Sequence, residues 1–400
     1  MAPDGLVVVA GAGRELVGSL EGTGLVEELR LAHLPDLATS LYTFPLRGPA
    51  ADYALSEAVP LSPSKRLAGR AFAGAGIVNR GRSSHVFRRP GAAPLLAWLA
   101  GLDSSTRPCT ALIRRSWKAD GGTVLHRFND EPAPDLVVKI GHESRLEAAA
   151  LRTVAPGAVT ASVDVPAIID ETSLGDVPLL VESPVRGRLA PTELRGSPAA
   201  AASLMRAVAT WLAEWGAATA SRRPFGSDDA ERHLLSKARS LAGGWSGGER
   251  YLADLGALCD LCAGTELPFL ATHGDLTAAN VLLGTGGSMS IVDWERASPD
   301  GLPLTDLAYA MADFAAATGG YEDRPAGYAE CFEAGGSFLA LARELLGAEA
   351  RRLGLEAPQA ELCLHACWLL HAENERLNPE PGSAERPFLE ILRLFAEGPR

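Results

Sequence analysis

The hydrophobic periodicity of this chain changes once, and that change limits the folds open to it. Before residue 182 the apolar residues come in short runs fit for strands, such as Leu136-Val137-Val138-Lys139-Ile140. After about residue 190 they recur at helical spacing, as in Leu204, Val208, Trp211, Leu212 and Trp215. Strands gathered first and helices after them describe an α+β chain with the two kinds of element segregated. Residues 110–117 and 123–128 predict a hairpin around Lys118-Ala119-Asp120-Gly121-Gly122. A strand at 136–140, a helix at 143–152 and strands at 166–170 and 178–182 follow. Helices are expected at 198–216, 229–243, 250–263, 305–318, 326–353, 357–377 and 386–397. The segment 269–297 interrupts them.

The chain has 400 residues, enough for two or three domains. The expected divisions are 1–106, an N-terminal α/β region of uncertain role; 107–185, a small sheet lobe; and 186–400, a helical lobe. In the first region Leu6-Val7-Val8-Val9-Ala10 reads as a strand, Gly11-Ala12-Gly13 as a turn and residues 15–31 as a helix. Such a unit can hold a phosphate on its helix N-terminus. Gly18 follows Gly13 by five residues rather than three, so this one reads as a structural turn. Gly74-Ala75-Gly76, Gly81 and the run ending Arg88-Arg89-Pro90-Gly91 read as loop, either a flap or solvated surface.

Lys and Arg total 37 against 49 Asp and Glu, a net charge of −12, which disfavours a nucleic-acid binder. No apolar run reaches the roughly 18 residues of a membrane helix. The chain reads as cytoplasmic, with no membrane partner. Six cysteines in this length do not make a disulfide framework. Cys259 and Cys262, and Cys363 and Cys367 around His365, read as packed thiols. A metal site would need the two pairs to meet.

The chemistry concentrates in the interrupting segment. Thr272-His273-Gly274-Asp275-Leu276-Thr277-Ala278-Ala279-Asn280 runs into the apolar Val281-Leu282-Leu283, and after a turn comes Ile291-Val292-Asp293-Trp294-Glu295. A hairpin with Asp275, Asn280 and Asp293 at its mouth suits phosphoryl transfer, which asks the protein for positioning and charge neutralisation. Mg²⁺ takes hard oxygen ligands, a carboxylate and an amide among them, so Asn280 and Asp293 suit the metal. Asp275 suits the proton-accepting role, and Lys139 can neutralise phosphate. His273 reads as a residue that hydrogen-bonds the loop backbone. His371, Glu373, Glu375 and Arg376 offer two readings, the lining of a substrate cleft or the wet face of a helix, and the wet face is the one favoured.

His273-Gly274-Asp275-x-x-x-x-Asn280 followed by Asp293-Trp294-Glu295 resembles the aminoglycoside phosphotransferase and choline kinase group, small-molecule relatives of the protein kinases. The resemblance spans roughly 107–397. It implies a bilobal protein-kinase-like fold, with a small antiparallel-sheet lobe and a mostly helical one. It implies Lys139 as the ATP lysine and Glu147 as its helix partner, with Glu143 the competing choice. Leu179-Leu180-Val181-Glu182-Ser183-Pro184 resembles the hinge, where backbone near Glu182 and Val185 would meet a purine; Pro184 cannot donate. Asp306 resembles the structural Asp behind the catalytic loop. The protein kinases' Gly-x-Gly-x-x-Gly is missing, and Gly121-Gly122 is its nearest substitute. The implied activity is Mg²⁺-dependent transfer of the γ-phosphate of ATP or GTP to a hydroxyl of a small molecule: an aminoglycoside or other antibiotic, a sugar or an amino alcohol. A kinase of peptide side chains and a nucleotide-binding pseudokinase scaffold are the alternatives.

Overall fold

The computed structural model describes residues 6–10, 21, 23, 25–34, 41–58, 83–88, 109–116, 121–160, 162–379 and 386–397. The glycines at 11, 13, 18, 74, 76 and 81 and the turn residues 118–120 lie outside them. The chain divides into two compact units, 1–148 with 166–184, and 149–165 with 185–400.

The first unit is built on one antiparallel sheet. Its strands are β1 (Leu6–Ala10), β2 (Val26–Leu34), β3 (Tyr42–Pro45), β4 (Ser83–Arg88), β5 (Thr110–Arg115), β6 (Thr123–Phe128), β7 (Leu136–Ile140), β8 (Ile168–Leu174) and β9 (Val177–Glu182). Their order is β1-β4-β2-β3-β5-β6-β7-β9-β8. The strands of the first hundred residues therefore continue the same sheet, because β3 pairs with β5. Two expectations are corrected here. Residues 26–31 are strand rather than helix, since β2 is hydrogen-bonded on both sides, to β4 and to β3. Ser83–Arg88 is likewise a strand, not loop, held between β1 and β2.

Register sorts the side chains. Leu125 lies opposite Val138, and with Ala111 and Leu179 they make a core patch on one face. Lys139 lies opposite Val124 on one side and Leu180 on the other, so it projects from the opposite face. Glu182, two residues beyond Leu180, shares that face. Arg127, 1% exposed, is satisfied by Asp135 through two hydrogen bonds of 3.1 and 2.6 Å. Burial of a guanidinium without such a partner would be costly. The helix α1 (Glu143–Thr153) follows β7 and crosses the boundary between the units.

The second unit is mostly helical. It contains α2 (Pro198–Thr219), a run of short helical turns over 227–242, α3 (Gly248–Cys262), α4 (Thr305–Thr318), α5 (Arg324–Phe332), α6 (Leu339–Arg352), α7 (Ala357–Leu377) and α8 (Pro387–Glu397). The expected single helix over 326–353 is two, α5 and α6. Between them Gly335 takes φ +93, and Gly336 packs so closely that a Cβ would lie 2.4 Å from the Glu330 carbonyl oxygen. Cys259, Cys262, Cys363 and Cys367 are free thiols in one apolar core with Leu255, Leu362 and Trp368. Burial pushes the Cys259 thiol up to about 12, so it stays protonated. No described helix is long and apolar enough to cross a membrane.

Among these helices run β10 (Glu266–Thr272), β11 (Val281–Leu283), β12 (Met289–Ile291) and β13 (Ser298–Gly301). β11 and β12 form the expected hairpin, Val281 opposite Ile291. β10 lies between the strand Ser221–Pro224 and β13. The loop 273–280 thus leaves a fixed strand and enters another.

Candidate active site

Asp275 and Asn280 stand on the loop between β10 and β11, and Asp293 stands two residues past β12. The hairpin ladder is carried one step further by the Val292 N–H, which donates to the Asn280 carbonyl (3.0 Å). That bond draws the residues after β12 against the loop. The Asn280 amide nitrogen donates to the Asp275 carbonyl at 2.8 Å, so its oxygen is the group left for a further partner. Asp293 takes φ +71, a left-handed conformation that Asp tolerates better than most residues. The Asp293 charge reaches Asp275: burial first, then repulsion from Asp293, push the Asp275 carboxyl up to about 6. Attraction from Arg296 acts in the opposite direction. The structure therefore brings the three predicted oxygen-bearing side chains together.

His273 holds the loop's shape. Its Nδ1 accepts from the Asp275 N–H at 3.3 Å, and its Nε2 faces the Val292 carbonyl at 3.1 Å. Only the tautomer with hydrogen on Nε2 satisfies both. Trp294 packs edge-on to the His273 ring at 4.9 Å, is fully buried, and donates its indole N–H to the Ile291 carbonyl. The Trp in Asp293-Trp294-Glu295 is thus the apolar support beneath the loop. Glu295 is half-buried beside Arg296, 3.9 Å away.

Gly274 has φ +76, and a Cβ there would sit 2.6 Å from the Arg296 carbonyl oxygen. Any side chain meets both a strained backbone and a clash with main chain. Gly274→Ala is expected to cost about 2–4 kcal/mol, the left-handed penalty plus overpacking. Calorimetric melting of the purified variant checks this; an unchanged Tm would contradict the packing.

The helix α4 grips the loop from behind. The Asp306 carboxylate accepts the His273 N–H at 2.6 Å and the Gly274 N–H at 2.9 Å. Two turns on, Asp313 accepts the Ala278 N–H at 2.7 Å, the Tyr321 hydroxyl at 2.8 Å and Arg324 at 2.8 Å. Tyr309 lies between them. Residues 306, 309 and 313 fall on one helix face at spacings of three and four. Asp313 escapes the sequence reading because it belongs to no motif; its signal is that spacing from Asp306. The reading of 371–376 as a wet face is corrected: His371 is 5% exposed, and its ring stacks on Tyr309 at 3.4 Å. Glu375 accepts the N–H groups of Phe388 and Leu389 at the start of α8.

In the first unit Lys139 forms an ion pair with Glu147, which is 1% exposed. Glu182 adds a second carboxylate 3.8 Å from the ammonium, an interaction the sequence does not announce. Glu143, the competing partner, instead accepts the Gly122 N–H at 3.2 Å. Gly122 and Gly121 lead into β6, and a Cβ on Gly122 would press within 3.0 Å of the Ile140 carbonyl. Val185 is half-buried at the start of the second unit's long segment.

No curated protein sequence matches the chain. Among solved structures, it is similar to a thermostable mutant of aminoglycoside phosphotransferase APH(4)-Ia in its apo form, at 12% identity and TM-score 0.46, covering 75% of this chain and 97% of that one. Aminoglycoside phosphotransferase APH(3'')-Id from Streptomyces rimosus, solved with ADP and streptomycin, is similar at 16% identity and TM-score 0.39, covering 62% and 90%. Macrolide 2'-phosphotransferase MphH from Brachybacterium faecium is similar at 16% identity and TM-score 0.37, covering 73% and 89%. The model of the phosphotransferase enzyme family, APH, matches residues 122–374, which take in Lys139, Glu147 and the whole hairpin of Asp275, Asn280 and Asp293. With well over half its length matched, the chain belongs to the phosphotransferase enzyme family.

Proposed function

We propose that this enzyme moves the γ-phosphoryl group of ATP or GTP to a hydroxyl of a small molecule, an aminoglycoside or other antibiotic, a sugar or an amino alcohol. The observation that carries the reading is the loop of Asp275, anchored to α4 at both ends, with the Asn280 amide bonded to the Asp275 carbonyl and the Asp293 charge acting on the Asp275 carboxyl. In this reading Asp275 orients the acceptor hydroxyl and takes its proton. The acceptor oxygen forms a bond to the γ-phosphorus, and the bond from that phosphorus to the β,γ-bridging oxygen breaks, leaving the nucleoside diphosphate. A carboxyl held near 6 is ionised at neutral pH yet basic enough to receive a proton.

The donor set fits Mg²⁺. Asp293 offers a carboxylate, and Asn280 offers an amide oxygen because its nitrogen is already committed. When bound, the metal would neutralise charge developing on the phosphates. Lys139 would pair with the phosphates, and Glu147 keeps its ammonium in place. Gly121, Gly122 and the backbone near Glu182 and Val185 are assigned to nucleotide binding on their order in the chain. All these side chains are intact, so the reading as an inactive nucleotide-binding scaffold gains no support.

A transfer screen tests the reading: aminoglycosides, nucleoside antibiotics, sugars and amino alcohols, each with MgATP and MgGTP, followed by phosphorus NMR of the product. A phosphorylated alcohol from any class supports it. Nucleotide binding with no transfer across the panel counts against it. The pH dependence follows from Asp275. Its protonated form cannot accept the hydroxyl proton, and its folded-state value lies above the ordinary one. Activity is therefore full above about 6 and lost as pH falls through that value. We expect kcat/KM to drop about tenfold per pH unit on the acid side. An acid limb near pH 4 would contradict the assignment of the limb to Asp275.

A further inference from the structure

We propose that Asp313, held by Tyr321 and Arg324, is a positioning residue for the metal end of the catalytic loop: it fixes the single turn Ala278–Asn280 and so sets where the Asn280 amide oxygen stands. This inference deepens the proposed function and rests on Asn280 being a ligand of the metal.

Ala278–Asn280 is one 3₁₀ turn, entered from an extended Thr277 and closed by the Asn280 N–H, which donates to the Thr277 carbonyl at 3.0 Å. The first N–H groups of a helical turn have no partner inside it. The Ala278 N–H is such a group, and Ala278 is buried, so it needs a partner from the protein. Asp313 meets it at 2.7 Å. A carboxylate takes an N–H more strongly than a neutral oxygen does. The bond pins the start of the turn to the middle of α4, and Asn280 stands two residues on. Two further bonds act at Asn280 itself. Its amide nitrogen donates to the Asp275 carbonyl at 2.8 Å, and its own carbonyl accepts the Val292 N–H at 3.0 Å. Both tie Asn280 to other parts of the site, whereas the Asp313 bond ties the turn to the helical body behind it.

The Asp313 side chain has no exposed surface, and a carboxylate so placed is costly unless it is paired and hydrogen-bonded. Arg324 supplies the charge, its Nη1 donating to one oxygen at 2.8 Å. The Tyr321 hydroxyl donates at 2.8 Å to the other oxygen, the one that takes the Ala278 N–H. With both oxygens engaged, the carboxylate keeps one orientation. The Arg324 guanidinium also lies over the Tyr321 ring at 4.7 Å, so the two donors brace each other.

Tyr321 takes φ +63, a conformation that a bulky residue rarely adopts. Its N–H donates to the Ala316 carbonyl at 3.0 Å, which folds the chain back over the end of α4. Glycine would make that turn without strain, as Gly320 beside it does at φ +72. Tyrosine brings a hydroxyl that glycine lacks, and the hydroxyl is on Asp313. Strain of this kind persists where the surroundings impose it, and it clusters at functional sites.

Asp313→Asn keeps the size and one oxygen for Ala278, removes the charge and sets an N–H against a donor. Tyr321→Phe keeps the ring and removes one donor. Each full-chain variant is titrated with a fluorescent ATP analogue, first in EDTA and then in Mg²⁺. The ratio of the two affinities is the gain due to the metal. Turnover is then followed against Mg²⁺ concentration with an acceptor from the screen. We expect Asp313→Asn to lose about tenfold of that gain and to need about tenfold more Mg²⁺ for half its maximal rate, with affinity in EDTA unchanged within about twofold. Tyr321→Phe should move both readouts the same way, by about threefold. A role in general stability alone would weaken binding alike in both media. A folded Asp313→Asn with the parental gain overturns the proposal. Should Asp313→Asn not fold, Tyr321→Phe decides, and a parental gain there overturns it. The two readings fail separately. Asn280→Ala with an undiminished gain removes Asn280 from the metal, whereas a lost gain in Asn280→Ala beside a parental one in Asp313→Asn removes only this inference.

Discussion

Asp275→Asn is expected to lower phosphoryl transfer by about 10³–10⁴-fold while MgATP still binds. The substitution preserves size and most hydrogen bonding. The Asp275 N–H still meets His273, and the carbonyl still meets the Asn280 amide. What disappears is the capacity to take a proton. The lost repulsion also relaxes Asp293, so affinity for the metal–nucleotide complex should hold. Single-turnover transfer and an equilibrium titration with a fluorescent ATP analogue separate the two effects. Near-parental turnover would remove Asp275 from the chemistry.

Asp293→Asn should be comparably severe, on the order of a thousandfold, for another reason. Removing one of two oxygen ligands takes away charge stabilisation worth several kcal/mol. Asparagine tolerates the left-handed backbone at 293 (φ +71), so the fold should persist. Excess Mg²⁺ should recover part of the rate, which no concentration of metal can do for Asp275→Asn. The variant carries a second signature. Repulsion from Asp293 is one of the forces that raise Asp275, so its removal should move the Asp275 midpoint down toward the ordinary carboxylate value. A midpoint that stays near 6 would mean that burial alone sets it.

The catalytic hairpin is legible because its parts are local. Val281 and Ile291 are apolar, the turn between them is glycine-rich, and the three polar residues sit at fixed offsets from two short strands. Helix α4 is legible to the residue, since its apolar positions repeat without interruption over 305–318. The first hundred residues are harder. Glu27, Glu28, Leu29 and Arg30 are good helix formers, yet they lie in a strand with partners on both sides. Sheet pairing with residues more than fifty positions away outweighs a preference of a few tenths of a kcal/mol per residue. Gly335-Gly336 signals the break between α5 and α6, though a continuous apolar stripe masks it. The side chains that hold the site from behind are the least legible. Asp313 acts on Ala278 from 35 positions away and nothing in its own segment marks it, and Glu182, legible as part of the hinge, gives no sign of its ion pair with Lys139.

Because the loop hangs from two carboxylates of a single helix face, it has no private way to loosen. Fraying α4 by one turn at its start frees His273 and Gly274 together, and the Ala278 end is anchored to the middle of the same rod. Heat should therefore extinguish turnover and melt this helix in one cooperative event, with no warm, folded but idle species in between.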